Sequence, residues 1–511
     1  MRLSGKIICL TLVCLLFGAM SAMAKGDTLT VAVTQNPKTM DPLTTDAGSC
    51  NMIQHMMETL IYMDKNFQIR PLLVEKWEPL PDNKGFTFFL KKGVKFHNGE
   101  TMTADDVVFT FQRALGPVGG PVRVFSMYTA GVEKVDDYTI ILRSKEPMGE
   151  TFLMSLCHPW AAIVNKKAVE ASGKDVGQQP NGTGPFKFKN WIPNERMIME
   201  RFDDYHGVKP KIKNLIFRTI VEAATRTIEL ESGAVDLIND PAPIDIKRIQ
   251  ENPDLEVISV PSSRLFYMSF DVTKKPYDDV RVREALSLAT DREGLCKVVF
   301  RGYARPARGV TTSAIRYSKY DTTPPFEKNT EKAKKLLAEA GYPNGFKGKI
   351  VTSERTDYTG LSTIMQANFK EIGVDMEIMV LEWGAFLEYA WSKDHEPCLN
   401  NWWGAPAALD PFFLMHPPFH SSGIGTATNR GFYKDKIVDE ALEAGAVLPN
   451  GPERAAAYGR AWDRLNATYP WVCLLEAMNM YGQTKGLKGI DHSPSILNYV
   501  ADAYFEDPKK K

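Results

Sequence analysis

The chain has 511 residues, more than one ordinary hydrophobic core accommodates, so two or three domains are expected. Apolar residues make up 44% and charged residues 24%, the balance of a water-soluble globular protein. The 62 basic and 62 acidic residues cancel, and loss of Arg2 and Lys6 with an N-terminal leader leaves about −2. That excludes the concentrated positive charge that nucleic acid or an anionic membrane surface demands.

Residues 1–24 read as that leader. Arg2 and Lys6 form a positive start, Ile7 to Phe17 an apolar run, and Ala22-Met23-Ala24 places small residues at −3 and −1 of a cleavage site. The run is too short to span a bilayer. Cys9 and Cys14 follow Ile8 and Val13, where a lipoprotein needs small residues, so the expected product is soluble and not lipid-anchored. Five cysteines remain, Cys50, Cys157, Cys296, Cys398 and Cys473. They show neither a CxxC pair nor zinc spacing, and they read as buried thiols.

Leu29 to Val33 reads as a strand broken by Thr34-Gln35-Asn36-Pro37, and Met52 to Leu60 as a helix. Phe86, Phe88 and Leu90 alternate along a strand, and Asn98-Gly99 marks a turn. Thr103 and Asp106 have capping-box spacing for a helix carrying Val107, Val108, Phe111 and Leu115. Arg113 falls outside that stripe and is expected to be solvated or paired. His97 reads as a structural donor, and Asp105-Asp106 as helix capping rather than a catalytic pair. Asn181-Gly-Thr-Gly-Pro-Phe186 is a tight loop. It lacks the GxxxxGK[ST] pattern of a phosphate loop. Ile212 to Ile220 is a predicted strand, Thr225 to Gly233 a helix, Val235 to Leu237 a short strand and Phe266 to Phe270 another strand. Asp278 and Asp279 cap a helix that packs Val280, Val282, Ala285 and Leu286, and Glu331 to Tyr342 is an amphipathic helix closed by Gly341. The strand Lys349 to Thr352 leads into Ser353-Glu-Arg-Thr-Asp-Tyr358. A loop at a strand's carboxyl end is where open α/β sheets bind ligands. Further on, Pro417 and Pro418 argue against a helix joining His416 and His420.

Four of these blocks recur as one ordered set: Gly93–Glu100 with Thr103–Val107, Phe111 and Arg113; Asn181–Phe186; Pro276–Leu286 with Ala289–Arg292; and Glu331–Tyr342. The set resembles the family 5 extracellular solute-binding proteins, the peptide, nickel and related receptors of ABC importers. The resemblance implies an α/β, two-lobed fold of the type II periplasmic-binding-protein class, with a hinge and an extra subdomain inserted in lobe one. It divides the chain into a signal peptide (1–24), lobe one (25–70), the inserted subdomain (71–186), lobe one again (187–268), lobe two (269–474) and a return to lobe one (475–511). The hinge crossings are expected near Phe266–Asp271 and Cys473–Ala477.

The implied function is that of a periplasmic receptor without a cofactor. It closes on a small solute, with a di- or oligopeptide favoured, and hands it to the membrane subunits of an ABC permease as a monomer. A metal chelate or another small anionic or glycosidic solute is the alternative. Arg355 resembles the position at which dipeptide receptors hold a ligand carboxylate, a task suited to a planar guanidinium. Trp402 and Trp403 are expected to wall the cleft, and the backbone of Thr34, Gln35 and Asn36 to bond the ligand's polar edge. Peptide receptors often pair the ligand ammonium with an aspartate where this chain has Ala405, so either Asp410 serves instead or the ligand lacks a free ammonium. His416 and His420 are the candidate ligands of the metal alternative. A secreted hydrolase is the competing class, but the chain has no G-x-S-x-G elbow, and His395-Glu396-Pro397 is not H-E-x-x-H.

Overall fold

The computed structural model describes residues 26–46, 48–118, 124–173, 177–392, 396, 398–403, 409–424, 428–495 and 499–506. For Val124, Phe125, Trp391 and the strand Cys398–Trp403 only the backbone is described. The expected signal peptide and cleavage site therefore lie outside the described residues.

An 11-stranded mixed sheet organises the molecule. One end is built from Thr28–Val33, which pairs in parallel with Asn214–Thr219 and Leu237–Asn239. The other end is built from Lys347–Ser353, parallel to Asp375–Leu381 and to Cys398–Trp403. Two long antiparallel strands, Leu255–Phe270 and Trp471–Thr484, run through both ends. Their register is continuous from Leu255 to Pro261 opposite Thr484 to Met478, then shifts at a break, resumes with Leu265 opposite Glu476, and shifts again between Phe266 and Tyr267. Two separate apolar clusters flank this break. One holds Leu29, Val31, Leu215 and Leu237, the other Phe266, Leu286, Ile350 and Tyr358. The break lies a few residues before the expected crossing at Phe266–Asp271, beside the buried pair Ser262-Ser263.

A separate four-stranded antiparallel sheet runs in the order Val74–Pro79, Gly85–Leu90, Thr139–Ser144, Thr129–Asp136. The helix Ala104–Leu115 covers it with Val107 and Phe111. The Thr103 N–H donates to the Asp106 carboxylate at 3.0 Å, and Arg113 pairs with Asp41 through both terminal nitrogens. This sheet shares one apolar cluster with the helices Pro411–Phe419, Lys436–Val447 and Pro452–Thr468. The four-stranded sheet therefore packs on helices far downstream in the chain.

The separate motif blocks turn out to be mating surfaces. The His97 N–H donates to the Gly182 carbonyl at 2.9 Å, and its Nε2 lies 3.0 Å from the Gly184 carbonyl. Burial pushes the imidazole down to about 4, so it is neutral and donates from Nε2. Glu58, also buried, accepts from Thr183 Oγ1 at 2.8 Å, Tyr205 Oη at 2.7 Å and His206 Nε2 at 2.8 Å.

The glycines here are required by contact. A Cβ on Gly182 would stand 2.2 Å from the Met56 carbonyl oxygen, and one on Gly184 2.8 Å from that of His55. Gly182→Ala should destabilise the protein by about 1–3 kcal/mol, seen as a lower denaturant midpoint in urea, since backbone has to move. An unchanged midpoint would show that the loop relaxes freely.

Two expected elements change form. The helix over Met52 to Leu60 shortens to Cys50–Ile53, because the carbonyls of His55 and Met56 accept from the N–H groups of Phe186 and Gly184 instead. The helix Pro411–Phe419 forms although it contains Pro417 and Pro418. It buries Phe412, Phe413, Leu414, Met415 and Phe419, and that burial offsets the missing N–H donors. Cys50, Cys157, Cys296 and Cys473 form no disulfide, and burial pushes the Cys296 and Cys473 thiols up to about 12. The side chain of Cys398 lies outside the described residues.

Candidate ligand-binding cleft

The parallel strands at each end of the large sheet deliver loops at their carboxyl ends, the geometry that positions ligand groups in open α/β sheets. From one end come Thr34–Asn36, after Thr28–Val33, and Asp240, after Leu237–Asn239. From the other comes Glu354-Arg355, after Lys347–Ser353. The two sets are separated by the register break in the long strands.

Arg355 stands at the start of the helix Thr356–Lys370. Its Nε and Nη2 donate to the two Asp357 oxygens at 3.2 and 3.1 Å. Its guanidinium carbon lies 5.3 Å from the Tyr358 ring centre and 5.8 Å from that of Trp383. Burial opposes its charge, but the Asp357 carboxylate, with Tyr358 and Asp240, outweighs that and holds the group above its ordinary value. The side chain remains 46% exposed.

Thr34 and Gln35 are exposed and Asn36 is half-buried. Gln35 donates to Asp46, and Asn36 accepts from the Asn194 N–H at 2.8 Å and donates to the Pro37 carbonyl at 2.9 Å. These side chains hold the loop. The backbones of Trp402 and Trp403 pair with Phe266 and Leu265, beside the register break, while their side chains lie outside the described residues. Ala405 also lies outside them.

The expectation for Asp410 is corrected. Asp410 has no exposed surface, accepts from the Phe412 N–H at 3.0 Å as a helix cap, and pairs with the buried Arg454 at 2.9 Å. A carboxylate sealed in this way offers nothing to a ligand in the cleft.

The metal alternative finds little support in His416 and His420. Their rings stack 4.2 Å apart, because the helix continues through the prolines. Burial, with His420 beside it, pushes His416 down to about 3. His420 uses Nδ1 on Ser422 at 2.7 Å and Nε2 on Glu443 at 3.2 Å. Among the described residues no three His, Cys, Asp or Glu side chains are grouped to hold a metal ion.

Asp240, Arg264 and Asn479 escaped sequence reading. Arg264 Nη2 lies 3.2 Å from both Asp240 Oδ1 and Asn479 Oδ1. The available signal was Asp240-Pro241 directly after a short strand.

The profile of the bacterial extracellular solute-binding proteins, family 5 Middle, matches residues 68–426. The chain belongs to that family. Over 489 residues it is 30% identical to the glutathione-binding protein GsiB of Salmonella choleraesuis, covering 92% of this chain and 93% of that one. The periplasmic binding protein DppA of Helicobacter pylori, solved with the peptide STSA, superposes with a TM-score of 0.81 at 28% identity, covering 94% and 98% of the two chains. HbpA2 of Haemophilus parasuis gives 0.84 at 28% identity, covering 94% and 100%. The family 5 chain is thus a two-lobed solute receptor of the ABC-importer class, and a binding component rather than an enzyme. Its family acts in the periplasm, and no helix among the described residues is long and apolar enough to cross a membrane.

Proposed function

We propose that this receptor captures a short peptide and holds its carboxylate on Arg355. The observation that carries this reading is the Arg355 guanidinium itself. It sits at a strand's carboxyl end, braced by Asp357, stacked near Tyr358 and Trp383, and nearly half exposed. A relative that binds glutathione and a structural neighbour solved with a tetrapeptide support the same ligand class.

The backbone of Thr34–Asn36 bonds the peptide from lobe one, and Trp402 and Trp403 line its apolar side. The lobes turn about the register break at Pro261–Leu265 and Met478–Glu476. Peptide bridging both lobes favours the closed form, because only that form makes both sets of contacts. The closed receptor, a monomer exported after loss of residues 1–24, then docks on its permease.

Native mass spectrometry of the receptor purified from its own periplasm tests this, followed by denaturation and identification of the released solute. Short peptides are expected. A released metal chelate or a solute without a carboxylate overturns the reading.

A further inference from the structure

We propose that Asp240 holds the cationic end of the ligand, so that the receptor selects a zwitterion whose two charges are gripped by opposite lobes. This rests on the reading that Arg355 takes the carboxylate.

Asp240 is the first residue beyond the strand Leu237–Asn239, at the same carboxyl edge as Thr34–Asn36. Its backbone is left-handed, at φ +47°, which is uncommon for a residue other than glycine and is tolerated best by Asp and Asn. Such a conformation persists only where its surroundings impose it. Here the imposing group is Arg226, which is buried and donates to four carbonyls: Ile220, Val221, Asn239 and Asp240 itself, the last at 2.8 Å. On the other side the Asp240 N–H donates to the Met480 carbonyl at 3.0 Å. The clamp fixes the backbone and leaves the side chain outside, 53% exposed.

The carboxylate is held in position by Arg264, itself tied to Ser262 and Asn479 beside the register break. Across the cleft the Arg355 guanidinium feels the Asp240 charge, although 115 residues separate them and they belong to opposite ends of the sheet. Each wall therefore pairs one acid with one base: Asp240 with Arg264, and Asp357 with Arg355. Acid and base on both sides suit a ligand that carries separated opposite charges. A protonated amine meets Asp240 on its exposed face, opposite the contact with Arg264.

Asp240→Asn tests this, because asparagine accepts the left-handed backbone and retains an oxygen for Arg264. The probes are the tetrapeptide Ser-Thr-Ser-Ala and glutathione, each with a free and with an acetylated amino group, titrated calorimetrically. The wild type is expected to prefer the free amines by about 10- to 100-fold, the range for one charge-assisted contact. D240N should bind the free forms that much more weakly and the acetylated forms unchanged, so that the preference disappears.

If D240N retains the preference, Asp240 is not the ammonium partner. If it weakens free and acetylated forms equally, Asp240 acts only by drawing the lobes together through Arg355. Either result overturns the proposal while the peptide reading stands. Failure of all four probes to bind the wild type at about 1 mM, a binding free energy weaker than about 4 kcal/mol, overturns both.

Discussion

Arg454→Met is expected to lower the unfolding free energy by about 3–5 kcal/mol, the cost of leaving a buried charge without its partner. Arg454 has no exposed surface. Its Nη2 donates to Asp410 at 2.9 Å and to Thr151 Oγ1 at 2.8 Å, and its Nη1 to the Leu448 carbonyl at 3.2 Å. Thr151 belongs to the helix Gly149–Ser155, which follows the inserted sheet in the chain, whereas Asp410 and Leu448 belong to the downstream helical layer. Thr151 Oγ1 also donates across that junction, to the Ala446 carbonyl at 2.8 Å. One guanidinium thus pins two parts of the chain about 300 residues apart. Methionine fills much of the volume but strands the Asp410 carboxylate.

Asp410→Asn keeps an oxygen for the Phe412 N–H and strands Arg454 instead, so it should cost a similar amount. Combining Arg454→Met with Asp410→Asn removes both charges and should recover part of the loss. Guanidinium titration of the three variants reads this. Strictly additive losses would show that the two groups do not act as a pair.

Arg355→Ala is expected to weaken peptide binding by about 10- to 100-fold in calorimetric titration, the loss of a charge-assisted contact. Arg355→Lys should recover only part of it, since an ammonium is a point charge and cannot present two parallel N–H groups. Stability of the ligand-free protein should hardly change, because the half-exposed pair with Asp357 contributes about 1 kcal/mol or less. Unchanged affinity in the alanine variant removes Arg355 from the carboxylate role. A large loss of stability would make it a structural residue.

These sites differ in how far a sequence discloses them. The placement of Arg355 was legible because its causes are local: a strand, its carboxyl end, a helix start. Asp410 carried the same surface signs, an acid followed by proline in an aromatic stretch, yet it serves the core. Nothing near it in sequence reveals the arginine 44 residues on that neutralises it. Pro417 and Pro418 argue, on local grounds, against a helix joining His416 and His420. The helix survives those prolines because five apolar residues are buried around them, and burial is a property of the assembled layer.

Residue order alone was enough for the elements whose causes are local and for the family those elements identify. The alternation of Phe86, Phe88 and Leu90, the capping of Ala104–Leu115 and the helix Val280–Ala289 capped by Asp279 all follow from residues within a few positions of one another. The folded chain was needed to see which motifs mate, as with His97 against Gly182 and Gly184, and which charges meet, as with Asp410 and Arg454 or Asp240 and Arg264. It also joined the four-stranded sheet to helices that begin more than 260 residues downstream. The physical reason is range. Backbone preference and capping act over a turn or two, whereas burial, close backbone approach and charge pairing depend on distance in space, which folding sets and chain separation does not.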